Sequence, residues 1–124
     1  MGTGSFDQTH VPDRNRLLTT LEVHNGDEYF ERNGIRRVDL IKIDVEGWEK
    51  NVLLGLRRTL ERERPIVYFE ASRGTLKGFG DLQGFRGCIP EFYKAQLLDF
   101  KGGKTTFSEF DATREGDVLL VPAA

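Results

Sequence analysis

Two carboxylates stand one residue apart at the end of an apolar run, in LIKIDVEGWE (residues 40–49). A third closes a second apolar run, IVYFE (66–70). Asp44 and Glu70 therefore each end a hydrophobic segment, and Glu46 sits at the start of whatever follows the first. Carboxylates gathered at one crevice can accept a proton, bind a cation, or hold hydroxyl and ammonium groups. The plainer reading is helix capping. Asp is a favoured N-cap, and acids in a first helical turn are stabilised by the helix dipole. Position alone leaves both readings open for Asp44, Glu46 and Glu49. Glu70 is followed by no clear helix, and its plainer reading is a salt bridge to a neighbour such as Arg73. Lys42 shares a side of its strand with Asp44 and would need a partner if that strand were buried.

The elements that must position these acids follow from periodicity. RVDLIKID (37–44) is almost continuously apolar, as expected of a strand covered on both faces. From Glu46 the period changes, and Trp48, Val52, Leu53, Leu56 and Leu60 recur at three- and four-residue steps. That stripe predicts one helix, with Trp48 in the core, ending before Pro65. IVYFE then reads as a second buried strand. Strand, helix and strand make a βαβ unit with parallel strands, so the chain is expected to be α/β. Ligands of such sheets bind outside the carboxyl ends of the strands, where Asp44 and Glu70 lie.

Around this unit the signals are shorter. LLTTLEV (17–23) suits an edge strand, and Asn25-Gly26-Asp27 a turn and cap opening a short helix that stops at Asn33-Gly34. Five glycines within residues 71–87 predict a mobile loop or a broken helix. Residues 90–95 could form a short helix. AQLLDF (95–100), the Gly102-Gly103 turn and TTFSEF (105–110) read as a hairpin, and DVLLVP (117–122) as a final strand.

Composition narrows the function classes. The length of 124 residues suits one domain, and 38% hydrophobic with 31% charged residues can build a core. A net charge of −2 with mixed signs leaves no basic stripe for nucleic acid. No apolar run approaches the ~20 residues that span a bilayer, so no membrane partner is expected. The start MGTGSFDQTH has no signal-peptide character, and Phe6 stands where a myristoylation motif carries a hydroxyl. A single cysteine, Cys88, fits a reducing compartment, hence a cytoplasmic location, and excludes a cysteine-based zinc site. Two histidines, His10 and His24, argue against a histidine-rich metal site.

VDLIKIDVEGWEKNVLLGL (38–56) followed by RPIVYFE (64–70) resembles the C-terminal half of FkbM-type S-adenosylmethionine-dependent methyltransferases. Thr20-Leu21-Glu22, DEYFERNGIRR (27–37) and the terminal DVLLVP fit the same pattern. The resemblance is specific over 20–70, weaker over 1–19 and topological after 71. It implies a partial class I, Rossmann-like methyltransferase fold: the parallel βαβ unit plus C-terminal antiparallel strands. Residues 1–19 would be a loose arm and 20–124 the C-terminal half of the domain. A strand-GxGxxG-helix unit, which would hold the methyl donor, is absent from this sequence.

The activity so implied is S-adenosylmethionine-dependent O-methylation of a small-molecule or glycan hydroxyl, incomplete in this chain. Asp44 and Glu70 would be the catalytic residues, Asp44 and Glu46 would contact the cofactor, and a divalent cation could join them. Segment 74–87 would serve as an acceptor loop. Two other readings compete. One is a non-catalytic fragment that pairs with a second copy or with a complementary N-terminal half through an exposed sheet edge or face. The other is a metal-dependent hydrolase using Asp44, Glu46 and Glu70.

Overall fold

A computed structural model describes residues 22–124. Residues 1–19, expected as an arm, and most of the strand expected over 17–23 lie outside this range; Glu22 and Val23 are in no regular element. In chain order the elements are α1 (Gly26–Arg32), β1 (Leu40–Ile43), α2 (Glu49–Gly55), α3 (Arg57–Glu63), β2 (Ile66–Ala71), α4 (Arg73–Phe79), α5 (Leu82–Arg86), β3 (Tyr93–Lys101), β4 (Lys104–Glu109) and β5 (Gly116–Pro122). The five strands form one sheet in the order β1-β2-β5-β3-β4. β1 and β2 are parallel, as the βαβ reading requires. β5 is antiparallel to both β2 and β3, and β3 pairs antiparallel with β4. The expected α/β class and the antiparallel C-terminal strands are both present.

Register divides the sheet into two unlike faces. Ile43, Val67, Phe69, Ala71, Val118, Leu120, Tyr93, Ala95 and Leu97 are buried and point to one side. There they join Leu53, Leu56, Leu60, Phe79 and Phe85 from the helices in one core. Phe69, Phe79, Phe85 and Phe110 meet edge to face, with ring centroids 5.0–6.2 Å apart, the arrangement that aromatic quadrupoles favour. The other side carries Leu40 and Lys42 of β1, Tyr68 and Glu70 of β2, Asp117 and Leu119 of β5, and Gln96 and Leu98 of β3. No described helix covers it. Among the described residues β1 lies at the edge of the sheet with one face uncovered, and Leu40 is 65% exposed. The expectation of a strand covered on both faces is corrected, and with it that of a buried Lys42: Lys42 is exposed.

Two helical expectations change, and a third is resolved. The single helix after β1 is two, broken at Leu56 (φ −110°, ψ 12°). The break is stabilised from 31 and 32 residues away in sequence. Asp27 in α1 accepts from the N–H groups of Arg58 and Thr59, both at 2.9 Å, and from the Thr59 hydroxyl at 2.7 Å. It caps α3, whereas Asn25 caps α1 through the N–H of Glu28. Burial by itself raises the Asp27 carboxyl; the Thr59 hydroxyl, the two N–H groups and the Arg58 guanidinium outweigh it and hold the group below its ordinary value.

The glycine-rich segment is ordered as α4 and α5, the broken-helix alternative. Ser72 and Thr75 form a capping box at the start of α4. Gly84 follows from packing, because a Cβ there would collide with the carbonyl oxygen of Phe79. Residues 90–95 are not helical: a turn at Pro90 leads directly into β3 at Tyr93. Buried Tyr93 donates to the carbonyl of Pro65 at 2.6 Å, and burial pushes its phenol up to about 12.

Candidate functional site

β1 and β2 bring their carboxyl ends together. Ile43 is paired with Phe69, so Asp44 and Glu70 are the next residues of two neighbouring parallel strands. Both are exposed. The sequence-level expectation that these acids face one rim agrees with this register. Across the sheet Glu70 lies opposite Asp117 of β5, and Tyr68 donates its hydroxyl to Asp117 at 2.8 Å. That hydrogen bond, with partial burial and the charges of Asp117 and Glu70, raises the Tyr68 phenol. Asp117 and Tyr68 thus adjoin Glu70 on the open face. Sequence reasoning missed them because a strand's partner across an antiparallel ladder is set by topology, not by local pattern. Arg73, proposed as a salt-bridge partner for Glu70, makes no such pair among the described residues.

The turn after β1 departs from the capping picture. α2 begins at Glu49, and its N-cap position is held by Trp48, whose side chain does not cap the helix. Glu46 is not in its first turn. It is exposed, at φ 47°, and is followed by Gly47 at φ 106°. Two successive left-handed residues turn the chain sharply, a conformation costly for a residue with a Cβ. Glu49, which local pattern marked only as a candidate cap, stabilises this turn. Its side chain is 1% exposed. Oε2 accepts from the N–H of Val45 at 3.2 Å, and Oε1 from the N–H of Gly47 at 2.9 Å and the Thr75 hydroxyl at 2.7 Å. The signal was its spacing: an acid two residues after a positive-φ glycine can reach back over the turn.

Gly47 also lets two backbones approach. A Cβ on Gly74 in α4 would stand 3.4 Å from the Cα of Gly47. The turns that follow β1 and β2 therefore pack against each other beneath the rim.

Two expectations fail here. Trp48, expected in the core, is 38% exposed and lines a groove of about 480 Å³ with Val23, His24, Val52 and Leu56. Its stripe-mates Leu53, Leu56 and Leu60 are buried, and the early position of Trp48 before α2 turns it outward. The three-acid cation site is also corrected. Among the described residues, no group of three or more His, Cys, Asp or Glu side chains is placed to hold a metal ion. The sharp turn at Glu46 and Gly47 separates residues that lie close in sequence. The metal-dependent hydrolase reading has no donor set and is set aside. Cys88 is buried and its thiol is pushed up by burial, against the opposing charges of Lys50 and Arg57. No helix among the described residues is long and apolar enough to cross a membrane.

A family model for the methyltransferase FkbM domain matches residues 3–112. The chain is 29% identical over 101 residues to the 2-O-methyltransferase NoeI of Sinorhizobium fredii (strain NBRC 101917 / NGR234). That alignment covers 82% of this chain and 37% of NoeI, so the chain spans well under half the length of this relative. No solved structure matches the chain.

Proposed function

The chain belongs to the FkbM methyltransferase domain family, and on that premise we propose that it forms the acceptor-side half of an S-adenosylmethionine-dependent O-methyltransferase. The observation that carries this reading is the pairing of Ile43 with Phe69, which sets Asp44 and Glu70 side by side at the carboxyl ends of β1 and β2. In parallel sheets this is where ligands lie. An exposed carboxylate at that rim can orient a hydroxyl acceptor and take up its proton as the new bond to oxygen forms. Glu70, with Asp117 and Tyr68 beside it, suits the acceptor.

The donor set also fits the cofactor in part. Asp44 and Glu46 offer carboxylate oxygens to ribose hydroxyls or an ammonium group, and would hold that side of it. S-adenosylmethionine, when bound, supplies a methyl group on a sulfonium. No strand-GxGxxG-helix unit occurs among the described residues, so the remaining contacts would come from outside residues 22–124. A small-molecule or glycan hydroxyl, the acceptor expected from the resemblance, suits the exposed polar rim. The 2-O-methyltransferase activity in the relative's name supports an oxygen acceptor.

The test is calorimetric titration of S-adenosylmethionine into the purified chain, and into Asp44→Asn and Glu70→Gln. Binding that weakens roughly ten-fold or more in Asp44→Asn, as expected when a charge-assisted hydrogen bond of ~1.5–3 kcal/mol is lost, supports the reading. Binding indifferent to Asp44 overturns the role of that residue.

One observation favours a second reading, a fragment whose role is association. Leu40, Ile66, Phe100 and Phe107 are exposed on the open face, and β1 is an edge among the described strands. Sedimentation analysis separates the two: a concentration-dependent dimer without cofactor binding supports association alone.

A further inference from the structure

Glu49 takes no part in the chemistry proposed above, yet it is more deeply buried than any other charged side chain among the described residues. We propose that Glu49 is the positioning residue of the rim: it locks the Asp44–Gly47 turn to the start of α4, so that the ends of β1 and β2 are held as one unit. The value of that lock to a ligand rests on the function proposed above; the lock itself does not.

A continuous chain of hydrogen bonds links the two turns. The N–H groups of Val45 and Gly47 flank Glu46, and both point at the Glu49 carboxylate. With those two donors fixed, the positive φ of Glu46 is held in place and its side chain is directed outward. The third donor comes from another element. The Thr75 hydroxyl has one proton, and its shortest contact, 2.7 Å, gives that proton to Glu49. Its lone pairs then accept from the N–H of Ser72 at 3.0 Å and face the Ser72 hydroxyl at 3.0 Å. Ser72 stands two residues after Glu70, at the exit of β2. The path thus runs from the turn bearing Asp44 and Glu46, through one buried carboxylate, to the turn at Ser72 that follows Glu70 and β2. The close approach of Gly47 and Gly74 reinforces it with backbone contact. Capping α4 alone needs only Ser72 and Thr75; the bond from Thr75 to Glu49 adds nothing to that cap and serves to join the two turns.

The inference is tested by amide hydrogen exchange on the ¹⁵N-labelled chain as Glu49→Gln, Thr75→Val and Thr75→Ser. Glu49→Gln is expected to speed exchange at Val45 and Gly47 by roughly ten-fold, the effect of losing one net hydrogen bond on local opening. Phe69 and Leu120, in the sheet, should stay at the wild-type rate. Thr75→Val touches neither reporter amide, and should nonetheless speed exchange at Gly47; Thr75→Ser, which keeps the hydroxyl, should restore it. If Thr75→Val leaves Gly47 unchanged, the two turns are uncoupled and the proposal is wrong. If Glu49→Gln loosens Phe69 and Leu120 as much as Val45, the residue is a general structural prop and the positioning role is lost. Cofactor titration on the same samples is a separate readout. Wild-type chain that does not bind S-adenosylmethionine counts against the proposed function and leaves the exchange result standing, whereas binding that is equal in wild type and Glu49→Gln overturns the positioning role at the ligand.

Discussion

The two faces of this sheet are built from the same strands and do opposite work. On the helix-covered face, alternate residues of β2 and β5 are Val67, Phe69, Ala71, Val118 and Leu120, all buried. On the open face, the residues between them are Tyr68, Glu70, Asp117 and Leu119, none of them buried. A period of two lets one strand serve both ends: one set of alternate positions holds the fold together and the other stays available. Stability and chemistry are thus separable by register, and substitutions on the two faces should differ in kind.

The largest effect should come from the covered face. Phe69→Ala removes the ring that touches both Phe79 and Phe110, and should cost about 3–5 kcal/mol in denaturant unfolding. A smaller loss would mean that the core collapses around the gap and that the two faces are less distinct than the packing indicates. In the helix layer, Asp27→Ala leaves the first N–H groups of α3 without a partner and should cost about 1–3 kcal/mol. Asp27 also gives the covered side an acid dependence. Its folded value lies below the ordinary one, so its contribution is complete above the unfolded value and is lost as pH falls through the folded one. Unfolding of Asp27→Asn should show a weaker acid dependence than wild type. Tyr93 works at the other end of the scale. Its phenol is pushed up from 10.0 to about 12, so its contribution is complete below pH 10 and declines as pH rises towards 12. Tyr93→Phe should flatten that alkaline loss.

The open face should respond weakly in stability. Tyr68→Phe breaks the hydrogen bond to Asp117 and should cost about 0.5–1.5 kcal/mol, while any change in acceptor or cofactor binding would sharpen the division between the faces. Phe107→Ser, at a side chain 54% exposed, should change unfolding by no more than about 0.5 kcal/mol. If it instead dissociates a dimer seen by sedimentation, the open face is an interface.

Much of this was legible in the sequence because the strands carry their own signals. The apolar runs at 37–44, 66–70 and 117–122 contain β1, β2 and β5 to within a few residues, and the hairpin about Gly102-Gly103 read correctly from local composition. Asp44 and Glu70 could be located as strand ends on the same grounds. What was not legible depends on distant partners. The break at Leu56 follows from Asp27 reaching across from α1, and the stripe of leucines continues through it unchanged. Trp48 fits the helical stripe but precedes α2, so period alone mislocated it. Glu49 looked like any first-turn acid until Thr75 and the Val45 and Gly47 amides converged on it. Lys42 and Leu40 read as buried because an apolar run does not reveal that no described helix covers one face of its sheet.

The position of β5 has a consequence for how the molecule is made. It is the last of the five described strands in the chain and the middle one in their sheet. On a ribosome adding about 5–20 residues per second, β1–β2 and β3–β4 emerge as two separate ribbons, each with an edge waiting for the same missing neighbour. Only the 7 residues of β5 can join them. Until then the nascent chain offers two unpaired edges and an unsealed aromatic core, the form most open to capture by chaperones or by other copies. β5 can join the two ribbons only after both have been made, so the yield of folded protein should depend on that joining more than on either ribbon alone.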